Sequence, residues 1–150
     1  MTYGKTSVVV CEDYEALGVQ SAAAVGACLR NVLETQPECR IVFSAAESQG
    51  SFIHALAKED VAWGRVVCFN IDDFWHPGMP LEFSCGHQTR TAFYEKVSVN
   101  AAHQVDVHAP DAQAEADRFE ALLREAPYVM IQEKCPMKPD RMSQRLRSKQ

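Results

Sequence analysis

Although the sequence holds six cysteines, no two of them form a Cys-x-x-Cys pair, and none of its five histidines stands at metal-ligand spacing near them. That argues against a structural zinc site, and no metal or other cofactor is expected. No apolar run approaches the roughly 20 residues of a membrane span. Residues Met1-Thr2-Tyr3-Gly4-Lys5 lack the basic-then-apolar pattern of a signal peptide, and the apolar stretch Ser7 to Cys11 is too short to supply it;. A cytoplasmic protein is therefore expected, with Cys11, Cys28, Cys39, Cys68, Cys85 and Cys135 as free thiols;. There is no excess of basic residues. The net charge of −5 gives no general field for nucleic acid or for an anionic membrane, so neither is expected as a partner;. Internal repeats and low-complexity linkers are absent as well.

What is present is ordinary for a globular domain: 150 residues, 47% hydrophobic and 23% charged;. The charge is unevenly spread. Residues 1–132 hold nine Lys/Arg against eighteen Asp/Glu, a balance of −9, whereas 133–150 hold six basic and two acidic residues, a balance of +4.

Short apolar runs alternate with helical patterns. Ser7-Val8-Val9-Val10-Cys11 reads as a buried strand. From Glu12 to Leu33, residues Tyr14, Leu17, Ser21, Val25, Cys28 and Val32 recur at three- and four-residue spacings, which predicts an amphipathic helix;. Arg40 to Phe43 predicts a second strand, Gly50 to Lys58 a short helix, and Arg65 to Asn70 a third strand. Gln88 to Val97 reads as helical, with Ala92, Phe93 and Val97 on one side. Asp111 to Glu125 forms a further helix, with Ala114, Phe119, Leu122 and Leu123 as its apolar residues, and Tyr128 to Ile131 a last strand. Such alternation predicts an α/β fold in three layers around a mostly parallel sheet. Ligands of these sheets bind beyond the carboxyl ends of the strands. The loops after Phe43, Asn70 and Ile131 therefore matter most.

The first loop, Ser44-Ala45-Ala46-Glu47-Ser48-Gln49-Gly50-Ser51, is rich in small residues ahead of a helix. Either it is an anion site made by backbone N–H groups, or it is a tight turn with Ser48 as the helix cap. Glu47 opposes an anion unless it points away. The second loop, Ile71-Asp72-Asp73-Phe74-Trp75-His76-Pro77, sets two carboxylates at the end of an apolar strand. A strand-end carboxylate partly withdrawn from water suits abstraction of a proton next to a carbonyl. The alternative is a solvated loop or a cap for the next turn. Phe74 and Trp75 either shield the site or belong to the core.

At these residues the sequence resembles the glucosamine-6-phosphate deaminase/isomerase family, related to the 6-phosphogluconolactonases. Phe69-Asn70-Ile71-Asp72-Asp73-Phe74 matches the family's Phe-Asn-hydrophobic-Asp-Glu-Tyr strand. Val61 to Val66 precede it in family-like order, and Gln88-Thr89 ahead of Phe93-Tyr94 stands where the family has Gln-Ser and an aromatic-containing helix. The likeness runs from about Ser7 to Ile131. It implies a Rossmann-like sugar-phosphate isomerase fold, of which this chain holds the N-terminal half. It also implies an enzyme that converts an amino-sugar phosphate to a ketose phosphate and ammonia. In that reaction Asp72 would shuttle a proton between C2 and C1, with Asp73 beside it. The substrate phosphate would lie on Ser44, Ala45, Ala46 and Ser48. Here Ala45-Ala46-Glu47-Ser48-Gln49 replaces the family's Thr-Gly-Ser-Thr-Pro, so a hydroxyl and a glycine are missing.

The family's next strand leads to a glycine-rich turn carrying a ring-opening histidine, but this sequence has no histidine after His108. The resemblance therefore implies that residues 1–131 are the N-terminal part of such a domain, with 132–150 a basic tail, disordered or foreign to the fold. A frameshift, a truncated frame or a fused segment would each produce that. Activity would then be lost or impaired, and the open sheet edge would favour a homo-oligomer or another partner. Two alternatives remain open: a 6-phosphogluconolactonase-like hydrolase and a non-catalytic sugar-phosphate-binding module.

Overall fold

The computed structural model describes residues 2–4 and 6–130. In chain order it contains a two-stranded hairpin, β1 (Thr2–Tyr3) and β2 (Thr6–Ser7), then α1 (Tyr14–Thr35), β3 (Cys39–Phe43), α2 (Gly50–Leu56) and β4 (Val66–Asn70). A helical run over 85–97 follows, made of α3 (Cys85–Thr89), a π turn (Arg90–Tyr94) and α4 (Glu95–Val97). Then come β5 (Ala101–His103), α5 (Ala112–Arg124) and β6 (Val129–Met130). Asp13 caps α1 by accepting the Ala16 N–H at 2.7 Å, and Asp111 caps α5 by accepting from Gln113 and Ala114;.

The strands β5-β4-β3-β6 form one sheet in that order, all parallel. Every residue of β3 and β4 is buried, as a parallel sheet covered on both faces requires;. On one face Leu29 and Leu33 of α1 and Phe52 and Leu56 of α2 pack over Ile41, Phe43 and Cys68, together with Trp63 and Phe93. On the other, Phe119 and Leu123 of α5 cover Val42, Val67 and Phe69. The architecture is thus the three-layer α/β sheet that the alternating pattern predicts.

Several expectations need correction. Residues 8–11 are not a strand: the hairpin ends at Ser7, and Val9 and Val10 are 68% and 76% exposed. A β-branched run becomes a strand only where a sheet edge accepts its backbone groups. The buried face of α1 is Gly18, Ala22, Gly26, Leu29 and Leu33, next to the predicted stripe, while Tyr14, Leu17 and Cys28 are exposed. Gly18 faces inward because a side chain there would collide with Ser51 of α2, and Gly26 because one would meet Glu59. Of the residues assigned apolar positions further along, Ala92 and Ala114 are exposed. The helix expected from Gln88 starts at Cys85 and contains a π turn, and the short strand β5 carried no apolar run to announce it. The tail assigned to 132–150, and Ile131 before it, lie outside the described residues.

Helix α1 is long and apolar enough to cross a membrane by length and composition, the only such helix among the described residues. Here its glycine-rich face packs on the domain's own core.

Close packing of α1 on α2 gives a paired prediction. A Cβ at Gly18 would lie 2.5 Å from the Ser51 carbonyl carbon, which is backbone and cannot move aside. A Cβ at Gly26 would meet the tip of Glu59, a flexible carboxylate that pairs with the exposed Arg30 at 3.0 Å. Alanine gains about 1 kcal/mol over glycine within a helix, and a surface ion pair contributes about 0–1 kcal/mol. Gly26→Ala should therefore leave Tm nearly unchanged. Gly18→Ala should lose about 2 kcal/mol net, roughly 4–8 °C in Tm, because the clash outweighs the propensity gain. Thermal unfolding of both variants checks this.

A pH prediction follows from β5. His103 stacks on Phe69 with ring centroids 4.9 Å apart. Its burial, then the Arg40 cation, hold its pKa below the ordinary 6.5; Glu125 opposes them, and Arg118 and Glu38 follow with weaker effects of opposite sign. Below pH 6.5 the unfolded chain takes up a proton that the folded chain refuses. Stability should therefore fall as pH drops through that value. Urea unfolding at pH 7.5 and 5.5 should show a smaller loss for His103→Gln than for the parent chain.

Candidate functional site

Because β3 and β4 are parallel neighbours, their carboxyl ends meet. Phe43 and Asn70 stand opposite in register, and the Ile71 N–H donates to the Phe43 carbonyl at 2.8 Å. The two loops singled out in the sequence therefore leave the sheet side by side. That is the position where open α/β sheets bind ligands.

The loop after β3 is held by α1. The Tyr14 hydroxyl donates to the Glu47 carbonyl at 2.9 Å and accepts the Ser51 N–H at 3.1 Å. Ser48 lies in a 3₁₀ turn (Glu47–Gln49) and is exposed, and Gln49 occupies the cap position of α2 with no side-chain cap. Ser48 therefore does not cap the helix. Tyr14 bonds an N–H of the first turn instead.

The loop after β4 separates the roles of its two carboxylates. Asp73 accepts from the Ser84 hydroxyl at 2.7 Å, the Cys85 N–H at 2.9 Å, the Gly86 N–H at 2.8 Å and its own neighbour Phe74 N–H at 2.8 Å. It braces the start of α3, where free N–H groups and the helix dipole favour an anion. Gly86 leaves room for this, since a Cβ there would stand 3.2 Å from Asp73 Oδ2 and 3.0 Å from Gln104 Nε2. Asp72 is half-buried and sits nearer the strand end. Trp75 is half-exposed and donates from Nε1 to the Ala109 carbonyl at 2.9 Å, while Phe74 is exposed. Neither belongs to the core.

Asn70, 1% exposed, ties the strand end to the following helix. Its Nδ2 donates to Thr89 Oγ1 at 2.9 Å, and its Oδ1 accepts from the Tyr94 hydroxyl at 3.0 Å. Burial pushes the Tyr94 phenol far above its ordinary range, so it acts as a neutral donor. The π turn allows Thr89 and Tyr94, five residues apart, to reach the same side chain. π turns of this kind often occur at functional sites.

Between α2 and the 85–97 helix lies a cleft of about 350 Å³, a size suited to a small metabolite. Ala45 and Ala46 form part of its wall, with Glu47, Gly50, Ile53 and His54 on one side and Gln88, Thr89, Ala92 and Lys96 on the other. Ser44, Ser48, Asp72 and Asp73 are not in its lining. The structure thus brings Ala45 and Ala46 to the cleft and leaves Asp72 in the loop after β4, two residues beyond the strand end that pairs with Phe43. His54 and Lys96 were missed in the sequence. The signal for Lys96 was the spacing 88, 92, 96 along one helical face.

No protein-family profile matches the sequence, and no curated protein matches it either. Solved structures do. A 6-phosphogluconolactonase from Shewanella baltica is 19% identical, with a TM-score of 0.70 over 82% of this chain and 53% of its own. A monomeric glucosamine-6-phosphate deaminase is 16% identical, with a TM-score of 0.66 over 79% of this chain and 50% of its own. The full-length sorbitol operon regulator from Klebsiella pneumoniae is 15% identical, with a TM-score of 0.53 over 94% of this chain and 50% of its own. The chain has the fold these proteins share, and it spans about half of their length.

Proposed function

We propose that this chain binds a sugar phosphate at the carboxyl end of its sheet. We further propose that Asp72 is the base of an aldose–ketose isomerase/deaminase reaction of the glucosamine-6-phosphate deaminase type. The observation that supports this most is the meeting of the two loops. The in-register ends of β3 and β4 start both loops from one edge of the sheet, which supports a shared site for Asp72 and for the wall formed by Ala45 and Ala46. A single carboxylate at a strand end can take the proton from C2 of an open-chain amino-sugar phosphate and return it to C1, giving a C2 imine that water then hydrolyses to a ketose phosphate and ammonia. Asp73, with its oxygens already taken by four donors, positions the loop and does not move the proton. Ser44, Ala45, Ala46 and Ser48 form the loop around which the phosphate enters, with the two alanines in contact with the ligand. The reading includes residues 1–131 as the N-terminal part of a longer type of domain.

A second reading, a binding module without turnover, is favoured by the likeness to the sorbitol operon regulator and by the alanines at 45 and 46. Purified chain is given glucosamine 6-phosphate and, separately, 6-phosphogluconolactone. Ammonia release supports the deaminase reading. Lactone hydrolysis without ammonia replaces it with a lactonase. Binding of sugar phosphate with neither product supports the module, and absence of binding removes all three.

A further inference from the structure

The cleft is chemically polarised along its length. Both of its helical walls follow a strand and lead to a parallel neighbour, so both run from the carboxyl end of the sheet back toward the amino end. Glu47 and Gln88 therefore stand at the mouth, beside the loops. His54 and Lys96 stand further in, four to eight residues along the walls, which at 1.5 Å per residue is roughly 6–12 Å. His54 and Lys96 project into the cleft from opposite helices and make none of the ion pairs found among the described residues. One carboxylate, Glu47, lines the opposite end.

We infer that His54 and Lys96 together form the anion-binding end of the cleft and hold the phosphoryl group of its ligand. This inference rests on the sugar-phosphate reading and assigns it two ligands from this chain. The loop at 44–48 has lost hydroxyl and glycine positions, and α2 has an N–H of its first turn already taken by Tyr14. Backbone donors alone then leave a doubly charged group poorly matched. A lysine ammonium supplies a mobile point charge with three donors, and an imidazole across the cleft adds a directional one. Glu47 at the mouth repels the anion and drives it inward. The reacting carbons are thereby left toward the strand ends, on the side where Asp72 lies. Thr89 serves Asn70 and also lines the cleft with Ala92 and Lys96.

The test is calorimetric titration of the full chain with inorganic phosphate and with glucosamine 6-phosphate. Lys96→Gln should weaken phosphate binding about tenfold, the loss of one charge-assisted contact. His54→Gln should weaken it several-fold, and Glu47→Gln should tighten it. All three side chains are exposed, so thermal unfolding should be unchanged and separates lost binding from lost folding;. Phosphate affinity that stays within about twofold in both Lys96→Gln and His54→Gln overturns the inference. So does a parent chain that binds no phosphate. If both variants lose phosphate while glucosamine 6-phosphate binds no better than phosphate itself, the anion site stands and the sugar-phosphate reading fails. If glucosamine 6-phosphate binds and is turned over equally in Lys96→Gln, the reading stands and the inference fails.

Discussion

Asp72→Asn is expected to abolish proton exchange at C2 of glucosamine 6-phosphate, by about 10²–10⁴-fold, while leaving its binding intact. The magnitude is that of a positioned general base. Binding should be spared because the side chain keeps its shape and lies outside the lining of the cleft proposed to hold the phosphate. Asp73→Asn is the informative contrast. Its carboxylate accepts the Cys85 and Gly86 N–H groups and the Ser84 hydroxyl. An amide offers one oxygen where two are used, and its NH₂ would face an N–H donor. That variant should lose about 1–2 kcal/mol of stability and, through a loosened loop, part of its exchange activity. Equal, complete loss of exchange in both variants with unchanged stability would contradict the division of roles between the two carboxylates. Exchange read by NMR in D₂O, with thermal unfolding alongside, measures both.

Arg40→Met should cost about 3 kcal/mol, roughly 6–12 °C in Tm. Arg40 is 7% exposed, and none of the ion pairs among the described residues includes it. Its guanidinium lies 4.7 Å from the centre of the Phe69 ring and donates to the carbonyls of Leu122, Leu123 and Ala126. Leu122 and Leu123 lie in the last turn of α5, where no glycine turns the chain and the helix dipole is negative, and Ala126 follows it;. A methionine fills the space but removes a donor from each, and leaves Leu122 with only the Glu125 N–H at 3.4 Å. Arg65 does the same at the end of α1, donating to Leu33, Gln36 and Pro37, but it does so at the surface. There water can replace it, so Arg65→Met should cost less than half as much. Equal losses at the two positions would show that burial does not set the difference.

The layers were legible because β3 and β4 are short, mostly apolar and followed by helical spacing. Burial on both faces favours apolar residues there, and the two polar exceptions, Arg40 and Asn70, have their polar groups hydrogen-bonded;. The resemblance at Phe69 to Phe74 pointed to the right fold because Asn70 and the carboxylates sit where two strands end together. The face of α1 was displaced because apolar periodicity favours large residues, and this face includes Gly18, which stands too close to Ser51 for a side chain. Val8 to Val10 read as a strand because propensity says nothing of whether an edge is at hand to pair. The use of Asp73 was hidden because its partners lie eleven to thirteen residues away, across a loop of no regular period. His54 and Lys96 were hidden for a related reason. Each is unremarkable on its own helix, and only the packing of the two helices brings them to one cleft.

The central claim is that the joined ends of β3 and β4, with the cleft beside them, form a sugar-phosphate site. The most direct measurement is an amide-resolved NMR titration of the ¹⁵N-labelled full chain with glucosamine 6-phosphate. The expected result is saturable shifts at 44–50, 71–73 and 88–96, with the α5 face around Phe119 unmoved. No shift at any ligand concentration, or shifts confined to the α5 face, would contradict it.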